Sequence, residues 1–389
     1  MSNLQRNSSP FLFGKTVSDN TFINRKKDIE HLWLNMQSGI NTVLISPRRW
    51  GKSSLVTQTA FLKRRDKRVK WCFFDMFAVR DEADFYAQFS RVLLKATSSK
   101  WEDWVKGAKT FFKQILPKIT VGVDPVHEFS VSFDWKEVEK HKDEILNLPE
   151  RIAKKQQVQL VICIDEFQNI HYFPEAESFE KILRSYWQHH QHVSYCLYGS
   201  KRTLMAEIFN KKNRAFYRFG DVMMLDKIDT GHWIPFIVGK FEQTKKAITP
   251  VLAEKIVTLM KNHPYYVQQL SHYVWENTPK TATSTILKEA TVRMLEINFA
   301  MYQTEVEALS NTQVNLLKAI ANEVAQLTAL KTIQEYQIGT PRNVSKNMKI
   351  LERDDFIEKV NKKAIFLDPA FELWFCKYYM GKSLDSYFR

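Results

Sequence analysis

The chain contains the stretch Ser46-Pro47-Arg48-Arg49-Trp50-Gly51-Lys52-Ser53-Ser54. A short β-rich run, residues 41–45, precedes it, and a helical pattern follows it to about residue 63. Strand, loop and helix in this order are the setting of a phosphate-binding loop with the pattern G-x-x-x-x-G-K-[ST]. We therefore predict that this stretch binds ATP. Backbone N–H groups would surround the phosphates, Lys52 would reach the β- and γ-phosphates, and the Ser53 hydroxyl would join a Mg²⁺ shell.

The first position of this motif departs from the pattern, because Ser46 stands where the pattern has glycine. That position opens the loop, whereas Gly51 lies where the backbone must approach the phosphates closely. Ser46 is therefore compatible with nucleotide binding and leaves rate and affinity open. The alternative is a chance G-K-S in a polar turn, but the flanking strand and helix favour the phosphate-binding loop.

A second motif is an apolar run, residues 160–164, that ends in two acids, Asp165 and Glu166. Asp165 is predicted to hold Mg²⁺, directly or through water. Glu166 is predicted to polarise the water that attacks the γ-phosphate. An acidic strand end that only caps the next helix is the alternative, and the upstream loop makes it the weaker one.

Two further sets of residues are candidates for catalysis. Ser200 follows a strand near residue 197 and is predicted to sense the γ-phosphate or orient water, although a simple turn serine fits almost equally well. Arg218, just before the last predicted strand, is the first choice for an arginine that neutralises charge during phosphoryl transfer, either in its own chain or on a neighbouring one. An arginine in a surface ion pair remains an open alternative for each candidate. The other candidates are Arg48, Arg49, Arg202 and Arg214.

The strand pattern predicts an α/β fold, namely a P-loop NTPase with a five-stranded, mainly parallel sheet covered by helices on both faces. The predicted strands are residues 41–45, 69–75, 158–164, 193–197 and 221–225. The predicted domains are a polar, poorly determined lead-in (1–20), an ATPase domain (21–228), a helical lid (229–302) and a winged-helix domain (303–389). An insertion, about 76–157, is predicted to hold extra helices and a small hairpin over residues 119–133.

The C-terminal pattern predicts a winged helix-turn-helix. Its helices are expected over residues 312–322, 330–336 and 341–354, with Thr340 as the N-cap of the third. Two short β-runs, residues 357–360 and 364–367, are expected to form the wing.

A basic face accompanies this module. Basic residues on the third helix fall on one side of it, and the wing lysines Lys359, Lys362 and Lys363 lie nearby. The candidates for DNA binding are Arg342, Lys346, Lys349, Arg353, Lys362 and Lys363. Such a face suits the phosphate backbone of duplex DNA, although no obvious base-reading set accompanies it. A winged helix that only packs against the ATPase domain is the alternative, so DNA binding stays open. A second basic run, residues 63–68, lies at a helix C-terminus, where cations are favourable anyway.

Composition sets weaker bounds. The 389 residues carry a formal net charge of +14, which favours polyanion partners. The four cysteines show no C-x-x-C pair or metal-ligand spacing and are expected to be reduced thiols. Residues 1–20 lack the apolar core of a secretory signal, and the apolar runs are too short to span a bilayer. We therefore expect a cytoplasmic protein with no membrane partner.

Together these segments resemble the archaeal-type ATPase family, which belongs to the STAND branch of AAA+-like P-loop ATPases. The resemblance covers about residues 20–380. Besides the two motifs above, two later segments are similar to family signatures: residues 262–270 resemble the G-H-P-Y-x-x-Q-x-L helix of the lid, and residues 367–374 resemble the D-P-x-F-x-x-W segment. Asn262 replaces the first glycine of the lid signature.

The resemblance implies a nucleotide-binding domain, a helical lid and a C-terminal winged helix. It implies that Pro264 lies near the base or sugar, and that Arg25, with Phe22 and Ile23, lines the adenine side. The resulting hypothesis is a switch in which ATP clamps the nucleotide domain against the lid and winged helix, and hydrolysis to ADP releases them. Two alternatives remain: an ATPase that acts on duplex DNA, and a signalling or scaffold ATPase that binds a protein partner or another copy of itself.

Overall fold

The computed structural model describes residues 8–17, 22–97, 118–120, 130–132, 134–361 and 363–388. The chain forms two compact units. One unit comprises residues 25–226, and the other comprises the segment up to residue 24 together with residues 227–389.

The first unit is built on a five-stranded sheet. Its strands, with those of a separate hairpin, are β1 (Thr42–Ile45), β2 (Val69–Asp75), β3 (Lys118–Thr120), β4 (Ser130–Ser132), β5 (Gln159–Asp165), β6 (Val193–Gly199) and β7 (Asp221–Met224). Its helices are α1 (Lys26–Gln37), α2 (Lys52–Lys63), α3 (Glu82–Thr97), α4 (Trp135–Leu146), α5 (Leu148–Gln156), α6 (Ala176–Trp187) and α7 (Arg202–Asn210). The order β2-β5-β6-β1-β7, with every pairing parallel, confirms the predicted fold class.

Burial along the strands follows their place in the sheet. Every residue of β1 and β6 is buried, as expected for central strands with helices on both faces. The edge strand β2 alternates at its end between buried and exposed residues. Aromatic side chains fill much of the core under the helices, and the rings of Trp187 and Tyr195 stack with centroids 4.2 Å apart.

The strand register decides where functional residues gather. Ile45 lies beside Gly199, and Asp75 lies beside Asp165. The loops that follow β1, β5 and β6 therefore leave the sheet at one edge, which is where parallel α/β sheets bind ligands. At the other end of the strands, where β1 begins, β7 also begins, because Thr42 pairs with Asp221.

The insertion is partly described. Helix α3 buries Phe85, Phe89 and Leu93, as the apolar spacing predicted. Strands β3 and β4 pair antiparallel and confirm a hairpin within residues 119–133. The residues between these two strands, and residues 98–117, where the expected extra helices of the insertion would continue, lie outside the described residues.

The second unit consists mainly of helices. They are α8 (Thr230–Gln243), α9 (Pro250–Leu259), α10 (Pro264–Asn277), α11 (Ser284–Ile297), α12 (Phe299–Glu307), α13 (Asn311–Ala321), α14 (Leu330–Tyr336), α15 (Pro341–Arg353) and α16 (Pro369–Trp374). Its two strands, β8 (Ile357–Val360) and β9 (Lys363–Phe366), pair antiparallel as the predicted wing. Thr340 caps α15 as expected, because its hydroxyl accepts a hydrogen bond from the Asn343 N–H at 3.3 Å.

The N-terminal segment corrects one expectation. Phe11 is only 3% exposed and packs against Phe241 with ring centroids 5.8 Å apart. The Leu12 N–H donates to Gln268 Oε1 of α10 at 3.1 Å. Residues 8–17 therefore contribute to the core of the second unit and are not a polar, poorly determined lead-in; the aromatic residues within this polar stretch were the available signal.

Asp368 joins the two later family-like segments. Its carboxylate caps α16 by accepting the N–H groups of Ala370 at 2.8 Å and Phe371 at 2.9 Å. The same carboxylate accepts hydrogen bonds from the hydroxyls of Tyr266 on α10 and, at 3.4 Å, Tyr302 on α12. One side chain thus fixes the start of α16 to two helices of the lid region.

Candidate active site

The loop after β1 has the backbone that a phosphate-binding loop requires. Arg49 and Gly51 have φ values of 64° and 93°, in the left-handed region, and α2 begins directly afterwards at Lys52. Gly51 has no side chain that could cap the helix. The N–H groups of the first turn therefore face the loop and receive no hydrogen bond from an N-cap side chain. These donors and the positive end of the helix dipole favour an anion at this position. Ser54, in the same turn, is buried.

Ser46 fits the loop for a conformational reason. Its φ is not positive, so the position does not require glycine. Its side chain is 1% exposed, and its carbonyl oxygen and hydroxyl lie 2.9 and 3.4 Å from Lys52 Nζ. The departure from the glycine pattern is therefore compatible with a closed loop.

Lys52 folds back over the loop. Besides Ser46, its ammonium group donates to the carbonyl oxygen of Pro47 at 2.9 Å. These acceptors are neutral, whereas phosphate oxygens are charged and form stronger hydrogen bonds with an ammonium group. An incoming phosphate can therefore displace them, and Lys52 is placed for the role predicted from the motif.

Arg25 supports the loop from the start of α1. Its Nη2 donates to the carbonyl oxygens of Trp50 at 3.1 Å and Asp226 at 2.9 Å, while Nη1 pairs with Asp28 at 3.2 Å. Burial lowers the pKa of Arg25, and the Asp28 carboxylate opposes that shift. The structure thus gives Arg25 a bracing contact that the sequence did not suggest, and its role at the adenine side stays a prediction.

Ser53 and Asp165 meet at the sheet edge. The Ser53 hydroxyl donates to Asp165 Oδ2 at 2.6 Å, which leaves the lone pairs of the serine oxygen for a cation. Burial raises the pKa of Asp165 to about 6, and the hydrogen bonds from Ser53 and the Glu166 N–H oppose the shift. A hydroxyl beside one carboxylate fits Mg²⁺, which usually takes few protein ligands and completes its shell with water and phosphate oxygens. In the described ranges, no group of three or more His, Cys, Asp or Glu is placed to hold a metal ion.

Glu166 is held by two side chains. Its Oε2 accepts hydrogen bonds from the Ser200 hydroxyl at 2.9 Å and from Gln168 Nε2. Arg48 Nε lies 3.4 Å from the same Ser200 hydroxyl. Glu166 also has a φ of 51°, which is uncommon for a residue other than glycine and tends to mark functional sites. The structure therefore brings together Glu166, Ser200 and Arg48, all of which were candidates.

Gln168 is a site residue that the sequence analysis missed. It is almost fully buried, and a Cβ atom built on Gly199 would lie 1.7 Å from its Oε1. Gly199 therefore permits the position in which Gln168 reaches Glu166. The sequence contained two hints of this contact: a glutamine two residues after Glu166, and a glycine directly before Ser200. They could be interpreted only once β5 and β6 were known to be neighbouring strands.

Two arginine candidates are corrected. Arg214 forms a two-pronged ion pair with Glu180, which is 1% exposed, and also pairs with Glu177 at 3.2 Å. Arg214 is therefore a structural residue, and its assignment to the transferring phosphate is wrong. Arg218 precedes β7, whose first residue lies level with the first residue of β1. The loop follows β1 at its other end, roughly 10 Å away.

Arg218 consequently lies at the sheet edge opposite to the loop of its own chain. The expectation that it acts on a nucleotide bound to the same chain is wrong for this reason. Its side chain is exposed, and action on a neighbouring chain stays a prediction. Arg202 begins α7 just after Ser200, and Arg49 lies exposed within the loop; both stay candidates.

The backbone at Asn262 explains why asparagine can stand where the lid signature has glycine. Asn262 has a φ of 60°, and asparagine tolerates the left-handed region better than most residues. Its Oδ1 accepts a hydrogen bond from the Thr230 hydroxyl at 3.0 Å. Asparagine can thus replace the family's glycine. Pro264 follows as the first residue of α10, and its contact with a base or sugar stays a prediction.

The basic face of the winged helix is solvent-exposed. Helix α15 buries Val344, Met348 and Leu351, and its exposed residues include Arg342, Lys346, Lys349 and Arg353. Two of the predicted cations are neutralised, because Arg353 pairs with Asp354 at 2.8 Å and Lys363 pairs with Glu323 at 3.4 Å. Arg342, Lys346 and Lys349 form no ion pair with any residue that the structure describes. Lys362 lies outside the described residues.

Comparison with known proteins decides the family. A model of an ATPase domain found predominantly in Archaea matches residues 22–270. The chain belongs to this archaeal-type ATPase family. A model of a probable winged helix domain matches residues 300–377. The predicted family resemblance is therefore confirmed.

Solved structures support the fold. A Walker-type ATPase of Pyrococcus abyssi has a TM-score of 0.67 at 16% identity, covering 94% of this chain and 99% of that one. The ORC2 protein of Aeropyrum pernix, solved in ADPNP–ADP complexes, has a TM-score of 0.56 at 14% identity, covering 91% and 93%. At these identities the likeness concerns the fold alone. No curated protein matches the chain significantly. In the part of the chain described, no helix has the length and apolarity needed to cross a membrane.

Proposed function

We propose that this archaeal-type ATPase is a Mg²⁺-dependent molecular switch of the STAND/AAA+ type. One observation carries the proposal: Ser53, Asp165, Glu166 and Ser200 form a connected hydrogen-bonded set beside an uncapped helix N-terminus. A loop that only bound phosphate would not require the two acids and the serine at the same edge.

Nucleotide binding uses the loop and the start of α2. The N–H groups of the loop and first turn donate to the phosphates, and Lys52 exchanges its carbonyl partners for phosphate oxygens. Ser53 and Asp165 would hold the metal ion, which neutralises charge on the phosphates when bound. Arg25 keeps the loop in place through its hydrogen bond to the Trp50 carbonyl.

Hydrolysis would depend on Glu166. Its Oε2 is occupied by Ser200 and Gln168, so its Oε1 is the oxygen left to orient water. Ser200 also accepts a hydrogen bond from Arg48, and we assign to it the role of responding to the presence or absence of a γ-phosphate. To donate to that phosphate, the Ser200 hydroxyl would have to give up its hydrogen bond to Glu166, and loss of the phosphate would restore that bond, which is the kind of local change that switches amplify.

The decisive test is Glu166→Gln. The amide keeps the hydrogen-bonding shape but cannot act as a base, so we expect ATP hydrolysis to fall by about 10²–10⁴-fold with ATP affinity retained. Steady-state phosphate release and nucleotide binding are measured on the full chain, with Glu139→Gln, an exposed glutamate on α4, as the matched control. A Glu166→Gln chain that hydrolyses ATP at the wild-type rate would contradict the proposal.

A second candidate function is an ATPase that acts on duplex DNA. The observation that favours it is the set of three exposed cations on α15 without ion-pair partners among the described residues, Arg342, Lys346 and Lys349. The same hydrolysis assay with and without duplex DNA tests it. Stimulation that disappears when the three residues become alanine supports DNA as the effector, whereas indifference to DNA favours the protein-binding alternative.

A further inference from the structure

One face of the edge strand β2 is left open. Its even-numbered residues Cys72 and Phe74 are 0% and 3% exposed and belong to the core. On the other face, Phe73 is 43% exposed and Trp71 is partly exposed. Parallel sheets are normally covered on both faces, so an exposed Phe73 beside a partly exposed Trp71 on the same strand calls for a separate explanation.

These residues belong to a row of three aromatic rings, Trp33, Trp71 and Phe73, which we name the aromatic row. The ring of Trp33, on α1, lies 6.2 Å from that of Trp71 with an angle of 21° between the planes. The ring of Phe73 lies 6.4 Å from Trp71 with an angle of 12°. The planes are thus close to parallel, so the three rings form one stacked row, of which Phe73 at its end on β2 is the most exposed member.

A cluster of cations lies beside this row. Residues 63–68, which we name the basic turn, join α2 to β2 and contain five basic residues and one acidic residue. Lys63 Nζ lies 5.2 Å from the ring centre of Trp33, so the turn and the row are in contact. Asp66 is engaged by Arg68 at 2.8 Å. Arg65 and Lys67 are exposed and have no ion pair with the residues that the structure describes.

The directions of the neighbouring side chains on β2 show that Lys70 does not belong to the surface formed by the aromatic row and the basic turn. Lys70 belongs to the other face, where its Nζ donates to Gln156 Oε1 at 2.7 Å. Asp75 follows Phe73 on the open face and would repel phosphate there. The row is therefore positive at its α2 end and is bounded by an acid at its far end.

We propose that the aromatic row and the basic turn form a binding surface for single-stranded nucleic acid. Bases stack on the row, and phosphates contact Arg65 and Lys67. Unpaired bases expose the faces that the rings need, whereas a duplex buries them within its own stack. The α15 face differs in kind, because its exposed cations have no such row of aromatic rings beside them among the described residues.

The test measures binding of a fluorescent oligothymidylate of about 20 nucleotides to the full chain by anisotropy. Phe73→Ser removes one stacking ring and should weaken binding by about 5- to 150-fold, whereas Phe73→Tyr keeps the ring and should keep the affinity. Arg65→Glu with Lys67→Glu should weaken binding and flatten its salt dependence by about 0.7 in log–log slope for each phosphate that the variant no longer binds. Lys136→Glu with Lys140→Glu makes the same charge change on exposed positions of α4 and should have little effect.

Two further measurements separate this surface from the other sites. Oligothymidylate binding should persist when Arg342, Lys346 and Lys349 are alanine, and ATP hydrolysis without nucleic acid should be unchanged in the Phe73 variants. The proposal is overturned if wild type fails to bind at low salt, if Phe73→Ser binds as wild type does, or if the α15 variant abolishes binding. A Phe73→Ser chain that changes only its oligomeric state would likewise overturn it, in favour of a contact between copies.

Discussion

The ATPase site and the basic face of the winged helix both carry charged residues that the sequence selected, but the structure treats them differently. At the site, Lys52, Asp165 and Glu166 each have hydrogen-bond partners in the same edge of the sheet. On α15, Arg342, Lys346 and Lys349 are exposed and have no ion pair among the described residues. A connected site supports a chemical role by its geometry, whereas an exposed face needs a ligand to reveal its role.

The largest expected effect on stability comes from breaking a buried ion pair, compared with breaking an exposed one. Arg214→Ala leaves Glu180 buried without its cation, and we expect the free energy of unfolding to fall by about 3–5 kcal/mol. Arg353→Ala is the control, because its pair with Asp354 is solvent-exposed. Urea unfolding measures both variants, and an equal fall in the two would contradict the distinction.

Lys52→Ala tests the phosphate-binding loop by removing the ammonium group that donates hydrogen bonds within it. Removing the ammonium group should weaken ATP binding by about 10²–10³-fold, because the charge acts at the buried base of the loop. Calorimetric titration with ATP and Mg²⁺ gives the affinity, and Lys140→Ala on exposed α4 is the matched control. Retained affinity in Lys52→Ala would mean that the loop does not bind the phosphates.

A half-buried histidine in the same unit, His190, predicts a pH effect. Burial lowers the pKa of His190 to about 4, against the opposing influence of Glu150. Because the unfolded chain takes up this proton near pH 6.5 and the folded chain does not, stability should fall as the pH drops from about 6.5 towards 4, by about 3 kcal/mol. Unfolding of wild type and His190→Gln across this range provides the difference, and parallel curves for the two chains would refute the assignment.

The smallest effects are expected on the exposed face. If α15 contacts a duplex backbone, each of Arg342→Ala, Lys346→Ala and Lys349→Ala should reduce the log–log salt slope of duplex binding by about 0.9. Arg353→Ala should reduce it less, since Asp354 already neutralises that arginine. Binding of duplex DNA that ignores salt, or the absence of binding, would remove the DNA candidate.

The sequence predicted those features that depend on neighbours along the chain. The apolar runs gave all five strands, and the motifs gave Lys52, Ser53, Asp165 and Glu166, because each motif is a contiguous strand-to-loop segment. Arg214 was misassigned because Glu180, its partner, lies 34 positions away and only the fold brings them together. The same-chain role of Arg218 could not be judged from its position just before a strand, because the register of β7 decides at which end of the strands it lies. Gln168 was missed for the same reason, since it needs Gly199 from the neighbouring strand.

The contacts of Asp368 have a consequence for cooperativity. One carboxylate closes the first turn of α16 and accepts hydrogen bonds from Tyr266 and Tyr302, so a separation of α10 or of α12 from α16 breaks a hydrogen bond to Asp368. Hydrogen bonds tolerate little lengthening, and a local opening of α10 would therefore remove a bond that positions the carboxylate that caps α16. The amide protons of α10, α12 and α16 should accordingly exchange with solvent in a shared opening event, as one foldon.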